Sequence, residues 1–305
     1  MLRSAVGVWD DEPMLAGTAE AFAGEGWVFE IKYDGFRMLA GRDRGRPRLR
    51  YRSGLDATAA FPELASALGT LAQGDFVLDG EVVVLDASGR PRFQRLQQRF
   101  QARGPEAARA AAAHPATLFA FDCLSAEGRD LRARPLLDRK ETLRGLLRGQ
   151  PAIRLVDHVV ADGLAFFAEV RALGLEGIVA KRADAAYVAG RSRDWRKIRI
   201  ERTGDFVVVG FTRAALGEEG GLHLAAAEGG TLRYAGRVGS GFEAGVLAEV
   251  RALLAPFVRA TAACDLAPRG RGHVWVEPRI VCEVRYKETT DAGLLRHPVF
   301  VRFRG

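Results

Sequence analysis

The chain has 305 residues, 48% of them hydrophobic, and a formal net charge of +7. That is enough apolar sequence for one large domain or two smaller ones, and the basic excess favours an anionic partner, nucleic acid first. Cys123, Cys264 and Cys282 lie far apart with no C-x-x-C pair, which argues against a zinc site or disulfide framework and for a reducing compartment.

The N-terminal "MLRSAVGVWDDEPMLAG" lacks the apolar core of a signal peptide, and nothing later approaches a membrane span. A soluble, cytoplasmic protein is expected. "GWVFEIKYDGFRMLAGRD" reads as two strands with a turn near Asp34-Gly35, and "RPRLRYRSG" as a third strand. "TAAFPELASALGTLAQ" has helical spacing, with Thr58 as its expected cap. "DFVLDGEVVVLDASGRPRF" reads as a hairpin turning at "DASGR", "FQRLQQRF" as a short helix, and "ATLFAFDCLS" as a buried strand. Two amphipathic helices, "RPLLDRKETLRGLLRG" and "DGLAFFAEVRALGL", precede the strands "EGIVAKR" and "DWRKIRI". After "ERTGD", residues 201–205, the chain turns mostly to short strands with one helix, "EAGVLAEVRALLAPF". The expected class is α+β: antiparallel sheets with flanking helices over residues 1–201, then a small OB-fold β-barrel over 202–305.

Of the 45 basic residues only five are lysine: Lys32, Lys140, Lys181, Lys197 and Lys287. A solvated surface accepts either cation, but only lysine can lose its proton and act as a nucleophile. Lys140, inside "LLDRKETL", is expected to be a surface charge. Neither G-x-x-x-x-G-K-[ST] nor a strand-to-helix G-x-G-x-x-G is present, so any nucleotide is held by other means. What recurs is a charge within or just after an apolar strand: Glu30, Lys32, Asp34 and Arg37; Arg52; Asp79 and Glu81; Asp122; Glu176 and Lys181; Lys197 and Arg199. Each alone reads as a solvated strand end. Together they supply a lysine nucleophile, carboxylates for a divalent cation, and cations for phosphates.

The six stretches "KYDGFR", "RSG", "DGE", "FAFD", "EGIVAK" and "KIR", in that order, resemble the covalent nucleotidyltransferase superfamily of ATP-dependent DNA ligases, RNA ligases and capping enzymes. "PMLA", "RSRDW", "GRVGSGF" and "LRHPVF" are similar to the ligase module of bacterial ligase D and its stand-alone relatives. The resemblance implies an adenylation domain followed by an OB-fold, and ATP-dependent sealing of 5′-phosphate/3′-hydroxyl nicks through lysyl-AMP on Lys32. ATP is implied as AMP donor and Mg2+ or Mn2+ as metal. Glu30 would accept from the adenine amino group and Phe121 would stack on the ring. Arg37 and Arg52 would hold ribose or phosphate, including the nick 5′-phosphate. Glu81 would contact ribose or metal, and Glu176 the metal. Lys181 would line the nucleotide site, and Lys197 and Arg199 would grip the α-phosphate. Asp34 would support the turn and the chemistry, and Arg296 and Arg302 would meet DNA. Nicked duplex DNA is the implied partner of a monomer acting at a bacterial nucleoid in repair or end joining, with a Ku-like end-binding protein and separate polymerase or end-processing enzymes beside it. "ERTG" is the expected hinge.

Two departures bear on this. Arg199 stands where relatives often carry lysine. Relatives also continue into an R-x-D-K-like segment that orients pyrophosphate, whereas this sequence ends at "VRFRG"; either the sequence is trimmed or self-adenylation is slow. The competing readings are an RNA ligase or capping-type enzyme, separated by nucleotide choice, and a nucleic-acid-binding module with impaired self-adenylation.

Overall fold

The computed structural model describes residues 12–304 apart from 72–73, 101, 148, 213–219, 244, 271 and 291. The leader reading therefore falls largely outside the described residues. Residues 1–199 and 200–305 form two compact units. Among the described residues no helix is long and apolar enough to cross a membrane.

The first unit contains eleven described strands: β1 (Met14–Thr18), β2 (Trp27–Ile31), β3 (Phe36–Asp43), β4 (Arg46–Tyr51), β5 (Phe76–Val84), β6 (Ala116–Ala126), β7 (Arg129–Asp130), β8 (Ile153–Leu155), β9 (His158–Val160), β10 (Gly177–Arg182) and β11 (Gly190–Arg199). Its helices are α1 (Pro62–Thr70), α2 (Phe93–Phe100), α3 (Gly104–Ala113), α4 (Leu136–Leu146) and α5 (Gly163–Ala172). One sheet runs β1-β11-β10-β2-β9, the other β4-β3-β5-β6-β7 with β8 beside β6. Pairing is antiparallel except β1 with β11 and β6 with β8.

Alternation along β5 builds two layers at once, because successive side chains point to opposite faces. Phe76, Leu78, Val82 and Val84 join Leu64 of α1, Leu96 of α2 and Leu143 of α4 in the larger core. Val77, of the opposite parity, packs with Met14 and Trp195 of the other sheet. Asp79 and Glu81 share that inter-sheet parity, so charge is carried into the space between the sheets.

Several local expectations change. "KYDGFR" is not a hairpin: β2 and β3 lie in different sheets, and Lys32–Gly35 is the crossing between them. Gly35 is required there, because a Cβ would come within 2.2 Å of the Val82 carbonyl oxygen. Thr58 does not cap α1; its hydroxyl accepts from the Leu49 amide at 3.0 Å. The "DASGR" turn is closed by Asp86, which accepts from the Ser88 and Arg90 amides. Its return strand is a single bridge, Leu85 to Pro91, before α2 begins.

The second unit has strands β12 (Arg202–Thr212), β13 (Leu222–Glu228), β14 (Thr231–Val238), β15 (Val258–Arg259), β16 (His273–Tyr286), β17 (Glu288–Thr289), β18 (Leu295–Arg296) and β19 (Val299–Arg304), with α6 (Val246–Leu254). The ladder runs β14-β13-β12-β16-β15, with β19 also on β16. A parallel bridge between Ser240 and Val299 joins the far ends, and the Phe300 amide donates to the Ser240 carbonyl at 2.9 Å. The result is the small OB-type unit expected, filled by Phe206, Val208, Leu224, Leu254, Val276 and Val284. The "ERTG" stretch is mostly strand: Arg202–Gly204 pairs with Val284–Tyr286 of β16. Only Ile200 and Glu201 lie between β11 and β12.

Candidate active site

A pocket of about 490 Å³ opens in the first unit and is lined from both sheets. Glu30 and Lys32 reach it from β2 and its end, Lys181 from β10, and Lys197 and Arg199 from β11. Period-two spacing places each pair on one strand face. Arg37, Glu81 and Phe121 line it from the second sheet, and Arg52 from the turn after β4. Phe121 reaches it through a bulge. Asp79 pairs with Asp122 and Gly80 with Ala120, which leaves Phe121 as the extra residue.

Lys32 Nζ forms an ion pair with Glu176 Oε2 at 2.7 Å, and the Lys32 amide donates to the Gly177 carbonyl at 2.9 Å. The start of "EGIVAK" is thus pinned to the lysine by side chain and backbone. Gly177 has φ +145°, and a Cβ there would meet the Ile198 carbonyl oxygen at 2.2 Å, so the tight pass requires glycine. Lys197 lies below its ordinary value because of burial and then Arg199, Arg191, Lys32 and Arg52. That wall gathers cations, as a polyphosphate site requires.

Glu30 is 2% exposed and pairs with two ammonium groups: Lys140 Nζ on Oε1 at 2.5 Å and Lys181 Nζ on Oε2 at 2.6 Å. Burial pushes its carboxyl up, but the two lysines outweigh burial and hold it below the ordinary range. Lys181 sits 4.2 Å from the centroids of both Phe121 and Trp195. Burial, opposed by Glu30, brings its ammonium down to about 8. Arg37 grips Asp79 with two hydrogen bonds, Nε to Oδ1 at 3.0 Å and Nη2 to Oδ2 at 2.6 Å. Tyr187 donates to the same carboxylate at 2.6 Å.

Burial raises the Glu81 carboxyl to about 8; Lys32 and Arg37 oppose the rise, while Glu176 and Asp79 add to it. Two part-buried carboxylates in each other's field make a hard-oxygen donor set that a divalent cation would relieve. The residues therefore fit a metal held by Glu176 and Glu81. Among the described residues no group of three or more His, Cys, Asp or Glu side chains forms a further cage.

Of the sequence-named first-unit residues, Asp34 and Glu176 do not line the pocket; Glu176 reaches it only through its ion pair with Lys32. Arg296 and Arg302 lie in the second unit, paired with Glu288 at 2.5 Å and Glu283 at 2.8 Å. The surface expectation for Lys140 is overturned: it is 1% exposed, bound to Glu30 and to the Val156 carbonyl at 2.7 Å. The signal was present in the sequence, since Leu136, Lys140, Leu143 and Leu147 follow the spacing of one helix face. Trp195 was quoted inside "RSRDW" without a role; it is 2% exposed and lines the pocket.

Comparison with known proteins identifies the family. Residues 13–199 match the ATP dependent DNA ligase domain and residues 216–305 the ATP dependent DNA ligase C terminal region. The chain is 38% identical over 299 residues to the multifunctional non-homologous end joining protein LigD of Pseudomonas aeruginosa, covering 94% of this chain and 34% of that protein. It thus spans about a third of the length of that curated relative, with 34% covered. The crystal structure of the ligase domain from Mycobacterium tuberculosis LigD superposes with a TM-score of 0.59 at 34% identity, covering 98% of this chain and 96% of that one. A mycobacterial DNA ligase D complexed with ATP and MES gives 0.58 at 35% identity, with 98% and 96% covered. With the Lys32–Glu176 pocket on one unit and an OB-type fold in the other, the chain belongs to the ATP-dependent DNA ligase family.

Proposed function

We propose that this chain seals 5′-phosphate/3′-hydroxyl nicks in duplex DNA by three transfers of one phosphoryl bond at a time. The Lys32 amine, after losing its proton, attacks the α-phosphorus of ATP; the N–P bond forms as the bond to pyrophosphate breaks. The 5′-phosphate of the nick then attacks the lysyl-bound AMP, frees Lys32 and carries AMP on a phosphoanhydride. The 3′-hydroxyl finally attacks that 5′-phosphorus and releases AMP.

Each residue has a task in this scheme. Glu30 accepts from the adenine amino group while Phe121 supports the ring. Lys181 balances the Glu30 charge at the base end of the pocket. Lys197 and Arg199 hold the α-phosphate, and Arg52 and Arg37 take ribose or the nick 5′-phosphate. Asp34 holds the crossing between sheets that presents Lys32. Glu176 and Glu81 would hold Mg2+ or Mn2+, which when bound supplies charge stabilisation at phosphorus. In the described state Lys32 is ion-paired with Glu176, so releasing that pair must accompany its loss of a proton.

We divide the chain into an adenylation domain, residues 1–201, and an OB domain, residues 202–305, with Ile200–Glu201 as hinge. The compact units and the two family matches support this division. Arg296 and Arg302 of the OB domain meet the DNA backbone. The name of one relative, non-homologous end joining protein LigD, extends the reading to end joining; to the same proposal belong a Ku-like end-binding protein, separate polymerase or end-processing enzymes, and action as a monomer at the nucleoid. An RNA ligase or capping enzyme shares the lysine chemistry, but the LigD likeness favours DNA.

The observation that carries the reading is Lys32, ion-paired with Glu176, in one pocket with Glu30, Phe121, Lys197 and Arg199. The test is sealing of a labelled nicked duplex with ATP and Mg2+ or Mn2+. Sealing that is lost in Lys32→Ala supports the proposal. Equal sealing by that variant with ATP, or sealing of RNA ends alone, contradicts it.

A further inference from the structure

Lys140 has no role among the six stretches that carry the family resemblance, yet it is one of the most buried charged side chains in the molecule. It reaches from α4 to the strand that carries Glu30, 110 residues away in sequence, and anchors on the Val156 carbonyl as well. Its neighbour on the helix, Arg139, is committed elsewhere, with both Nε and Nη2 on Asp122 at 2.7 and 2.8 Å. In a chain where 40 of 45 basic residues are arginine, this position holds a lysine. A compact ammonium can meet one carboxylate oxygen and one carbonyl in a closed space, where a planar guanidinium needs more room.

We propose that Lys140 is a positioning residue that sets the choice of base: it fixes the Glu30 carboxylate in the pocket as a charged acceptor, which accepts from the 6-amino group of adenine and repels the 6-oxo group of guanine. The inference rests on the reading that the pocket holds a nucleotide base against Glu30. A carboxyl that had taken up a proton would instead donate, and would then suit the guanine oxygen. Two cations compensate the burial of Glu30, and Lys181 is the weaker holder, since burial has already brought its own ammonium down to about 8. The other titratable groups in this field are His158, opposite Glu30 on β9 and kept below its ordinary value by burial and then Lys140, and Asp122, which acts on Lys181.

The sign of the pH effect follows. With Lys140 present the Glu30 value is depressed, so the acceptor form persists below the ordinary carboxylate value. Without Lys140 only Lys181 opposes burial, so the value rises and the acceptor form is lost at a higher pH than in the unsubstituted chain.

The test is calorimetric binding of AMP and GMP, which needs no chemistry and no metal, at pH values from about 5.5 to 8.5. It uses the full chain, Lys140→Met, Lys140→Gln, Glu30→Gln and the Lys140→Met/Glu30→Gln pair, each checked for folding by near-UV circular dichroism. The unsubstituted protein should prefer AMP with a ratio flat across this range; this arm needs no variant. In Lys140→Met and Lys140→Gln the preference should fall by about tenfold, the equivalent of one charge-assisted hydrogen bond, with the fall deepening as pH drops. Lys140→Met should add nothing further to Glu30→Gln. A wild-type preference that itself slides toward GMP at the acid end overturns the inference, as does an unchanged, pH-flat preference in folded Lys140 variants. Wild-type protein that binds neither nucleotide overturns the underlying reading of the pocket, and this inference with it.

Discussion

The two units spend their charges differently. In the first, beside surface pairs such as Arg134–Asp138, some oppositely charged side chains meet inside the protein: Arg139–Asp122 with both partners 0% exposed, and Lys140–Glu30 with 1% and 2%. In the second, the pairs lie at the surface: Arg302–Glu283 with 62% and 15% exposed, and Arg304–Asp205 with 38% and 50%. The same arginine-rich composition therefore serves two ends. Buried pairs held on both carboxylate oxygens fix a constellation to fractions of an ångström, as a phosphoryl-transfer site needs. Exposed pairs cost little to open, so under the proposed function their arginines can exchange a carboxylate for a DNA phosphate.

The contrast can be broken at its strongest point first. Asp122→Ala leaves the Arg139 guanidinium buried without its carboxylate, and should lower stability by about 3–5 kcal/mol in denaturant unfolding. A loss under about 1 kcal/mol would put this pair in the surface class.

Acid sharpens the comparison next, because the second unit buries a histidine where the first buries ion pairs. His223 is 1% exposed, with Nδ1 2.9 Å from the Tyr234 hydroxyl and Nε2 3.1 Å from His273 Nδ1. Burial, then His273 and Arg237, lowers it to about 4. Its folded value lies below the unfolded one of 6.5, so its contribution is fully present above 6.5 and is lost as pH falls toward about 4. Glu30, also depressed, loses its contribution only below its ordinary value of 4.5. Thermal unfolding between neutral pH and pH about 4.5 should therefore weaken the second unit first, and His223→Leu should flatten that dependence. Equal acid sensitivity with and without His223 would remove the distinction.

The smallest effect is at the surface. Arg302→Ala should change stability by less than about 1 kcal/mol, while the slope of log affinity for nicked duplex against log salt falls by about 1. An unchanged salt slope would take Arg302 off the DNA face.

What the sequence revealed follows the same division. The strand-end charges were legible because period two is short-ranged: Lys197 and Arg199, or Asp79 and Glu81, share a face wherever the strand goes. The glycines of "KYDGFR" and "EGIVAK" were legible as motif letters, but their cause was not. Gly35 must pass the Val82 carbonyl and Gly177 the Ile198 carbonyl, both long-range approaches. For the same reason β2 and β3 read as a hairpin although they join different sheets. Lys140 was misread because a charged side chain on a helix was weighed alone, when its spacing with Leu136, Leu143 and Leu147 placed it inward. The partner that makes burial tolerable, Glu30, lies too far away in sequence to be inferred. Of the five lysines, Lys32, Lys140, Lys181 and Lys197 all lie at the pocket or on its buried carboxylate, so the scarcity of lysine was informative.

The central claim is that Lys32 is the nucleophile. Intact-mass measurement of unadenylated protein, before and after ATP with Mg2+ or Mn2+, beside GTP and NAD and a Lys32→Ala variant, tests it most directly. The account predicts a gain of one AMP with ATP alone, absent in the variant. A gain of the same size in Lys32→Ala, or no adduct with any nucleotide in the unsubstituted chain, would contradict it.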